Sequence, residues 1–156
     1  MTFLPKPPPI FVSTHDRDRL RALALDEAGS LAAKFLLSEL DRADVRTPNT
    51  LPSRVVRMNS RVTYRVDGTE WPETRYLVYP DDLSIYGGQI SVMTPLGAAL
   101  IGLSVGDRIF YPTPANRVHE VKVDRVSFQS GAKILPFCIL RRPRLSNGED
   151  PGPGAA

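Results

Sequence analysis

The chain holds one cysteine and two histidines in 156 residues. Cys138 has no second cysteine to pair with, which excludes an internal disulfide and fits a reducing cytoplasm. His15 and His119 stand far apart and form neither a metal-ligand spacing with Cys138 nor a catalytic triad. No apolar run approaches the ~20 residues of a membrane span. A signal peptide is not expected either, because the prolines of Met1-Thr2-Phe3-Leu4-Pro5-Lys6-Pro7-Pro8-Pro9 would interrupt its apolar segment. A glycine-rich phosphate loop is missing, so a kinase is not supported. Charge of one sign is also scarce. The net charge is +3; residues 1–49 hold seven basic and seven acidic groups, residues 50–129 nine and eight, and residues 130–156 four and two. No segment is basic enough to make nucleic acid the evident partner, and weak attraction to an acidic protein surface fits as well.

Proline, by contrast, is plentiful, with 15 residues that punctuate the chain. Residues 1–13 read as a proline-rich lead, extended at first, in which Ile10-Phe11-Val12 adds an edge strand or caps the first helix. Residues 14–46 read as a short antiparallel helical hairpin. Thr14 is the expected N-cap of the first arm, with Asp16 and Asp18 in its first turn. Gly29-Ser30 stops that arm and caps the second, which is expected over Leu31 to Asp44. The second arm carries Ala33, Leu36, Leu37, Leu40 and Ala43 on one face and Leu31, Ala32 and Phe35 beside it. That is more apolar surface than the first arm can cover, so something further must meet it. Each arm is ~20 Å long at 1.5 Å per residue.

Residues 47–53 form a linker whose prolines cannot continue the helix. The region 54–129 is strand-rich. Arg61 to Val66 alternates polar and apolar, Asp67-Gly68 is a hairpin turn, and Thr74 to Tyr79 returns as the partner strand. Arg117 to Gln129 forms a long last strand. Four or five antiparallel strands with one helix across them make an α+β domain. Residues 130–156, with Ile134 to Leu140, Arg141, Arg142, Arg144 and a Gly/Pro end, are expected to be a disordered tail.

The helix in question sits in Ile90 to Asp107. Ile90-Ser91-Val92-Met93 is a strand, Thr94-Pro95 is an N-cap followed by proline at the first helical position, and Leu96, Ala99, Leu100 and Leu103 lie on one helical face. Val105-Gly106-Asp107 turns into the next strand. This stretch resembles the C-terminal domain shared by the bacterial Gre transcript cleavage factors and their relative, the regulator of nucleoside diphosphate kinase. Ile90, Ser91, Val92, Thr94, Pro95, Leu96, Gly97, Ala99, Leu100, Gly102, Gly106 and Asp107 fit that family's pattern. Met58-Asn59-Ser60-Arg61-Val62, Leu77-Val78-Tyr79-Pro80 and Glu39-Leu40-Asp41-Arg42-Ala43 match the regulator branch. The resemblance spans roughly Ile10 to Gln129 and implies an FKBP-like antiparallel sheet with one packed helix, of the GreA/GreB C-terminal type.

The resemblance further implies a cytoplasmic transcription regulator that binds RNA polymerase at the rim of its secondary channel, competes with Gre factors and is not itself an enzyme. Met93, Thr94, Pro95 and Leu96 are the implied contact loop, with Met93 and Pro95 exposed. No cofactor follows, except an optional magnesium under the alternative reading of a cleavage factor, in which Asp26 and Glu27 at the hairpin tip would act. The competing view of those two acids is a solvated tip. A monomer without membrane contact is expected. A prolyl isomerase does not follow from an FKBP-like fold alone. Arg54, Arg57, Arg61 and Arg65 are a possible basic face for weak nucleic-acid contact, against the blander reading of a solvated sheet surface. Trp71 follows a turn and is expected to cap a sheet edge.

Overall fold

Two serines start the two helices of the hairpin. In the computed structural model, which describes residues 5–127, Ser13 Oγ accepts the Asp16 amide at 3.0 Å and Ser30 Oγ accepts the Ala33 amide at 3.0 Å. Helix α1 therefore spans Thr14–Asp26 and α2 spans Leu31–Arg42. The cap of α1 is Ser13 rather than Thr14. Ser13 closes a short strand, β1 (Phe11–Ser13), and its extended backbone (φ −72°, ψ 152°) is what an N-cap needs. The second arm ends at Arg42 because Asp44–Arg46 leaves the helix to form β2, which pairs in parallel with β1. Sequence reading did not foresee β2. The Arg46 guanidinium lies 4.7 Å from the Phe11 ring centre across this pair. The region expected as a plain linker contains a 3-10 turn at Pro48–Thr50 and a buried Leu51.

The main sheet contains β3 (Arg61–Val66), β4 (Glu73–Val78), β5 (Gln89–Ser91), β6 (Arg108–Thr113) and β7 (Arg117–Ser127). They lie in the order β5-β4-β3-β7-β6, and every neighbouring pair is antiparallel except β4 with β5. The expected turn between β3 and β4 forms: Asp67 (φ 55°) and Gly68 (φ 71°) are both left-handed, and the Thr69 amide donates to the Val66 carbonyl at 3.2 Å. That is the type I′ geometry whose twist suits a hairpin. Between Thr63 and Tyr64 the β3–β7 register shifts, so Thr63 faces Arg125 while Tyr64 faces Val123. Asp124 is left as the extra residue of a β-bulge.

Helix α3 (Pro95–Leu100) packs across the sheet, and α2 packs on α3, on α1 and on β6. Val12, Leu20, Leu36 and Leu40 from the N-terminal part share one buried cluster with Tyr64, Leu77, Leu100, Ile109 and Val123. That packing accounts for the surplus apolar surface of α2. The arms have 13 and 12 residues, or roughly 20 and 18 Å. Their inner faces are buried as far out as Ala24 and Ala32, and Leu25 and Leu31 stand exposed on the shoulders of the tip.

One charged residue is buried with the hairpin. Glu39, 5% exposed, receives the Arg42 fork through Nε at 3.0 Å and Nη2 at 2.6 Å, while Arg42 Nη1 donates to the Pro8 carbonyl. This network ties the proline-rich lead to α2. Tyr64 is also buried, and its hydroxyl donates to Glu73 Oε1 at 3.2 Å. Burial first, and the Glu73 charge second, push that phenol up to about 12, so it stays neutral and structural. The expectations for Phe128, Gln129 and the tail with Cys138 lie outside the described residues.

Candidate interaction surfaces

The Ser91-to-Gly97 corner is held by its own hydroxyls. Ser91 Oγ accepts the Met93 amide at 3.0 Å. Thr94 Oγ1 donates to the Ser91 carbonyl at 2.7 Å and accepts the Gly97 amide at 3.0 Å. Pro95 occupies the first helical position, where its missing N–H costs nothing. The Thr94 hydroxyl is thus fully used inside the turn, and what the corner offers outward is Met93, Pro95 and Leu96. All three are half-buried rather than fully exposed, and Met93 and Leu96 also lean on the core.

The end of α3 and the following turn are equally determined. Gly102 takes φ 83°, and its carbonyl accepts the Phe11 amide at 3.1 Å, which joins α3 to the base of the hairpin. Gly106 takes φ 93°, and Asp107 Oδ2 accepts the Ser104 amide at 3.0 Å. The Gly-Asp pair read from the sequence is therefore a turn device that launches β6.

At the hairpin tip, Asp26 ends α1 and Glu27 is its C-cap; both are exposed. Among the described residues, no three His, Cys, Asp or Glu side chains come together as a metal-ligand group.

The four arginines do not form one row. Arg61 and Arg65 lie on the outer face of the sheet, where Arg65 Nε meets Asp124 Oδ2 at 2.6 Å and its Nη1 reaches the Thr69 and Glu70 carbonyls at 3.3 Å. Arg54 and Arg57 line a separate cleft with Ser53, Val105 and Val126, and Arg57 Nη2 donates to the Leu51 carbonyl at 2.9 Å. Asp124 and Arg125 line both this cleft and the outer sheet face, so the two regions adjoin. The outer face also holds Arg108 and Lys122, which sequence reading missed. Their signal was available in part: Arg108 pairs with Lys122 and Lys122 with Arg65, so simple strand alternation places all three on one side. Arg125 was hidden, because the bulge at Asp124 breaks the period. Trp71 does not cap an edge; it is 81% exposed.

Asp67 is the other electrostatic feature. Its Oδ1 accepts the Glu120 amide at 2.9 Å and its Oδ2 faces His119 Nδ1 at 2.5 Å. The Glu120 amide first, and His119 second, hold this carboxyl below its ordinary value of 3.8. A carboxyl lowered in the folded state contributes stability that is complete above the unfolded value and is lost as pH falls through the folded one. We expect the urea midpoint of the wild type to drop faster than that of Asp67→Asn as pH is lowered from about 5 to about 2. Parallel acid limbs would show that this carboxyl contributes nothing.

Comparison with known proteins gives concordant matches to both parts of the chain. A family model for the C-terminal part of the transcription elongation factors GreA/GreB matches residues 51–128. A second, described as the Rnk N-terminus, matches residues 8–45. The chain is 38% identical over 127 residues to the regulator of nucleoside diphosphate kinase of Escherichia coli K12, covering 80% of this chain and 93% of that protein. It is 31% identical over 94 residues to the transcription elongation factor GreA of Thermodesulfovibrio yellowstonii, covering 60% of this chain and 59% of that one. Among solved structures it is similar to a prokaryotic transcription elongation factor GreA/GreB from Nitrosomonas europaea. There the TM-score is 0.62 at 37% identity, covering 78% of this chain and 99% of the other.

Proposed function

Because the chain belongs to the GreA/GreB C-terminal family and joins to it an N-terminal unit of the Rnk type, we propose that it is a transcription regulator that binds RNA polymerase. It docks at the rim of the secondary channel through Met93, Pro95 and Leu96, with Thr94 holding their turn. Its hairpin points toward the channel and excludes Gre factors by occupying the same place. It acts as a cytoplasmic monomer, without a cofactor and without stimulating transcript cleavage. The observation that carries this reading is the corner after β5. Its polar groups are spent internally, and an apolar, proline-stiffened edge is left facing outward. Rigid apolar edges of this kind lose little entropy on docking.

The short arms support occupancy over catalysis. Roughly 20 Å of helix, with its inner face packed into the core, presents two exposed acids at the tip rather than a long probe. The test is equilibrium binding to core RNA polymerase, with a Gre factor as competitor. The wild type is expected to bind and to be displaced. Pro95→Ala is expected to weaken binding about tenfold, the scale of one interface hot spot, without a large change in melting. Asp26→Ala with Glu27→Ala is expected to bind as the wild type does. Stimulated RNA cleavage by the wild type, lost in that double variant, would replace this reading with the cleavage-factor one. Absence of binding would remove it.

A further inference from the structure

The outer face of the sheet carries an excess of positive charge that the docking corner does not use. Arg65, Arg108, Lys122 and Arg125 line it together, with Glu120 and Asp124 as its acids. Arg61 lies opposite Ser127 on the same side, and Arg54 and Arg57 adjoin through Arg125. Residues 5–127 hold sixteen basic and fifteen acidic side chains in all. Five and two of these lie on this face, which leaves eleven against thirteen for the remainder. A nearly neutral chain is therefore polarised. Arg65 is engaged by Asp124, but Arg61, Arg108, Lys122 and Arg125 form no ion pair with any described residue. Cations gathered on one side without carboxylate partners raise each other's energy, and an arriving anion relieves that.

An exposed aromatic residue lies in the loop that borders this face. Thr69 and Pro72 line the basic cradle, and Trp71, 81% exposed, lies between them in the chain. The Thr69 hydroxyl donates to the Trp71 carbonyl at 3.3 Å, and Arg65 bonds the Thr69 and Glu70 carbonyls, so the loop is fastened to the cationic strand. An exposed indole pays a hydration cost that stacking on a planar ligand would remove. Tyr76 adds a second, half-buried aromatic on the outer face, opposite Arg61.

We propose that this face, with Trp71 at its rim, binds a single strand of nucleic acid: phosphates lie along Arg61, Arg108, Lys122 and Arg125, and an unstacked base rests on Trp71. Both parts are needed for the identification. A cationic groove alone would suit an acidic peptide or a duplex, whereas only a single strand offers bases with open faces beside its charges. The chain's own residues 128–156 are an unsuitable occupant, since they hold four basic and two acidic groups. The contacts are to phosphate and base face, so ribose and deoxyribose strands should bind alike. The site is separate from the Met93–Leu96 corner, and its test needs no polymerase.

The full chain contains one tryptophan, so its intrinsic fluorescence reports on Trp71 alone. We would titrate it with fluorescein-labelled 12-mer oligo(U) and oligo(dT), reading anisotropy with labelled strands and Trp71 emission with unlabelled ones. Both strands should bind, quench the emission and show a log–log salt slope of about −3, as four neutralised phosphates on a single strand require. Trp71→Ala should weaken binding about tenfold and Trp71→Phe far less. Lys122→Glu with Arg125→Glu should weaken it at least tenfold, while a triple Arg141→Ala, Arg142→Ala, Arg144→Ala variant should bind as the wild type does. Several results would overturn the proposal: no binding, binding without quenching, loss only in the triple variant, or tighter binding of a duplex or of polyglutamate. Failure here would leave the polymerase reading untouched, and a protein that binds these strands but not polymerase would separate the two in the other direction.

Discussion

Gly97→Ala is expected to leave the protein largely unfolded or severely destabilised, although it adds a single methyl group in the helix-favouring direction. A Cβ at Gly97 would sit 2.0 Å from the Ser91 carbonyl oxygen, 2.8 Å from the Ser91 carbonyl carbon and 3.0 Å from Thr94 Oγ1. None of these is the loose end of a flexible side chain. Relief requires α3 to move off β5, which breaks the Thr94 hydroxyl bonds and lifts Ala98, Ala99 and Leu100 out of the core. Overpacking against fixed backbone costs about 3 kcal/mol or more, against a total stability of about 5–15 kcal/mol for a domain. Urea denaturation measures it, with Gly29→Ala as the control. Gly29 is exposed at the hairpin tip with nothing within 4 Å of its would-be Cβ, so that change should fall within about 0.5 kcal/mol of neutral or stabilise slightly. Equal midpoints for the two variants would mean that β5 and α3 leave room for a methyl group at Gly97.

Arg42→Ala is the second large effect. It would strand the Glu39 carboxylate, whose side chain is 6% exposed, without its bidentate partner. It would also release the Pro8 carbonyl that fixes the proline-rich lead. Removing one member of a buried pair costs about 3–5 kcal/mol. Arg42 is itself 27% exposed, so water can partly reach the orphaned acid, and about 2–4 kcal/mol is the expectation here. The companion variant, Glu39→Leu with Arg42→Met, removes both charges and should recover most of the loss. If the double variant is as unstable as Arg42→Ala, the cost lies in packing or in the Pro8 contact rather than in the stranded charge.

Much of this architecture can be read from the chain, and the reasons are local. Asp67-Gly68, Thr94-Pro95 and Gly106-Asp107 each demand one backbone geometry, so each turn appears where its residues stand. The second arm of the hairpin could be recognised as too apolar for one neighbour, and α3 and β6 supply the others. What escaped depended on distant partners. β2 has three residues, too few for its alternation to betray it, and only β1, more than thirty residues earlier in the chain, makes it a strand. Ser13 and Thr14 are equivalent caps in sequence, and the end of β1 chooses between them. The turn at Met93 to Leu96 was visible because its residues are consecutive. The basic face was half visible, because Arg61 and Arg65 sit on one strand while Arg108, Lys122 and Arg125 join them only through sheet pairing and a bulge.

The parallel pair β1–β2 has a consequence for how such proteins vary. It bonds Phe11, Val12 and Ser13 to Asp44, Val45 and Arg46 at the two roots of the hairpin, and Gly102 anchors the same place to α3. The roots are thus clamped at one strand spacing, whatever lies between them. Residues inserted in matched whole turns on either side of Gly29 would lengthen the arms and leave the clamp, the sheet and the Met93–Leu96 corner where they are. Reach becomes a dial that turns independently of grip. A lineage holding this clamp can set how far its tip extends by insertions around Gly29, where nothing lies within 4 Å of an added Cβ.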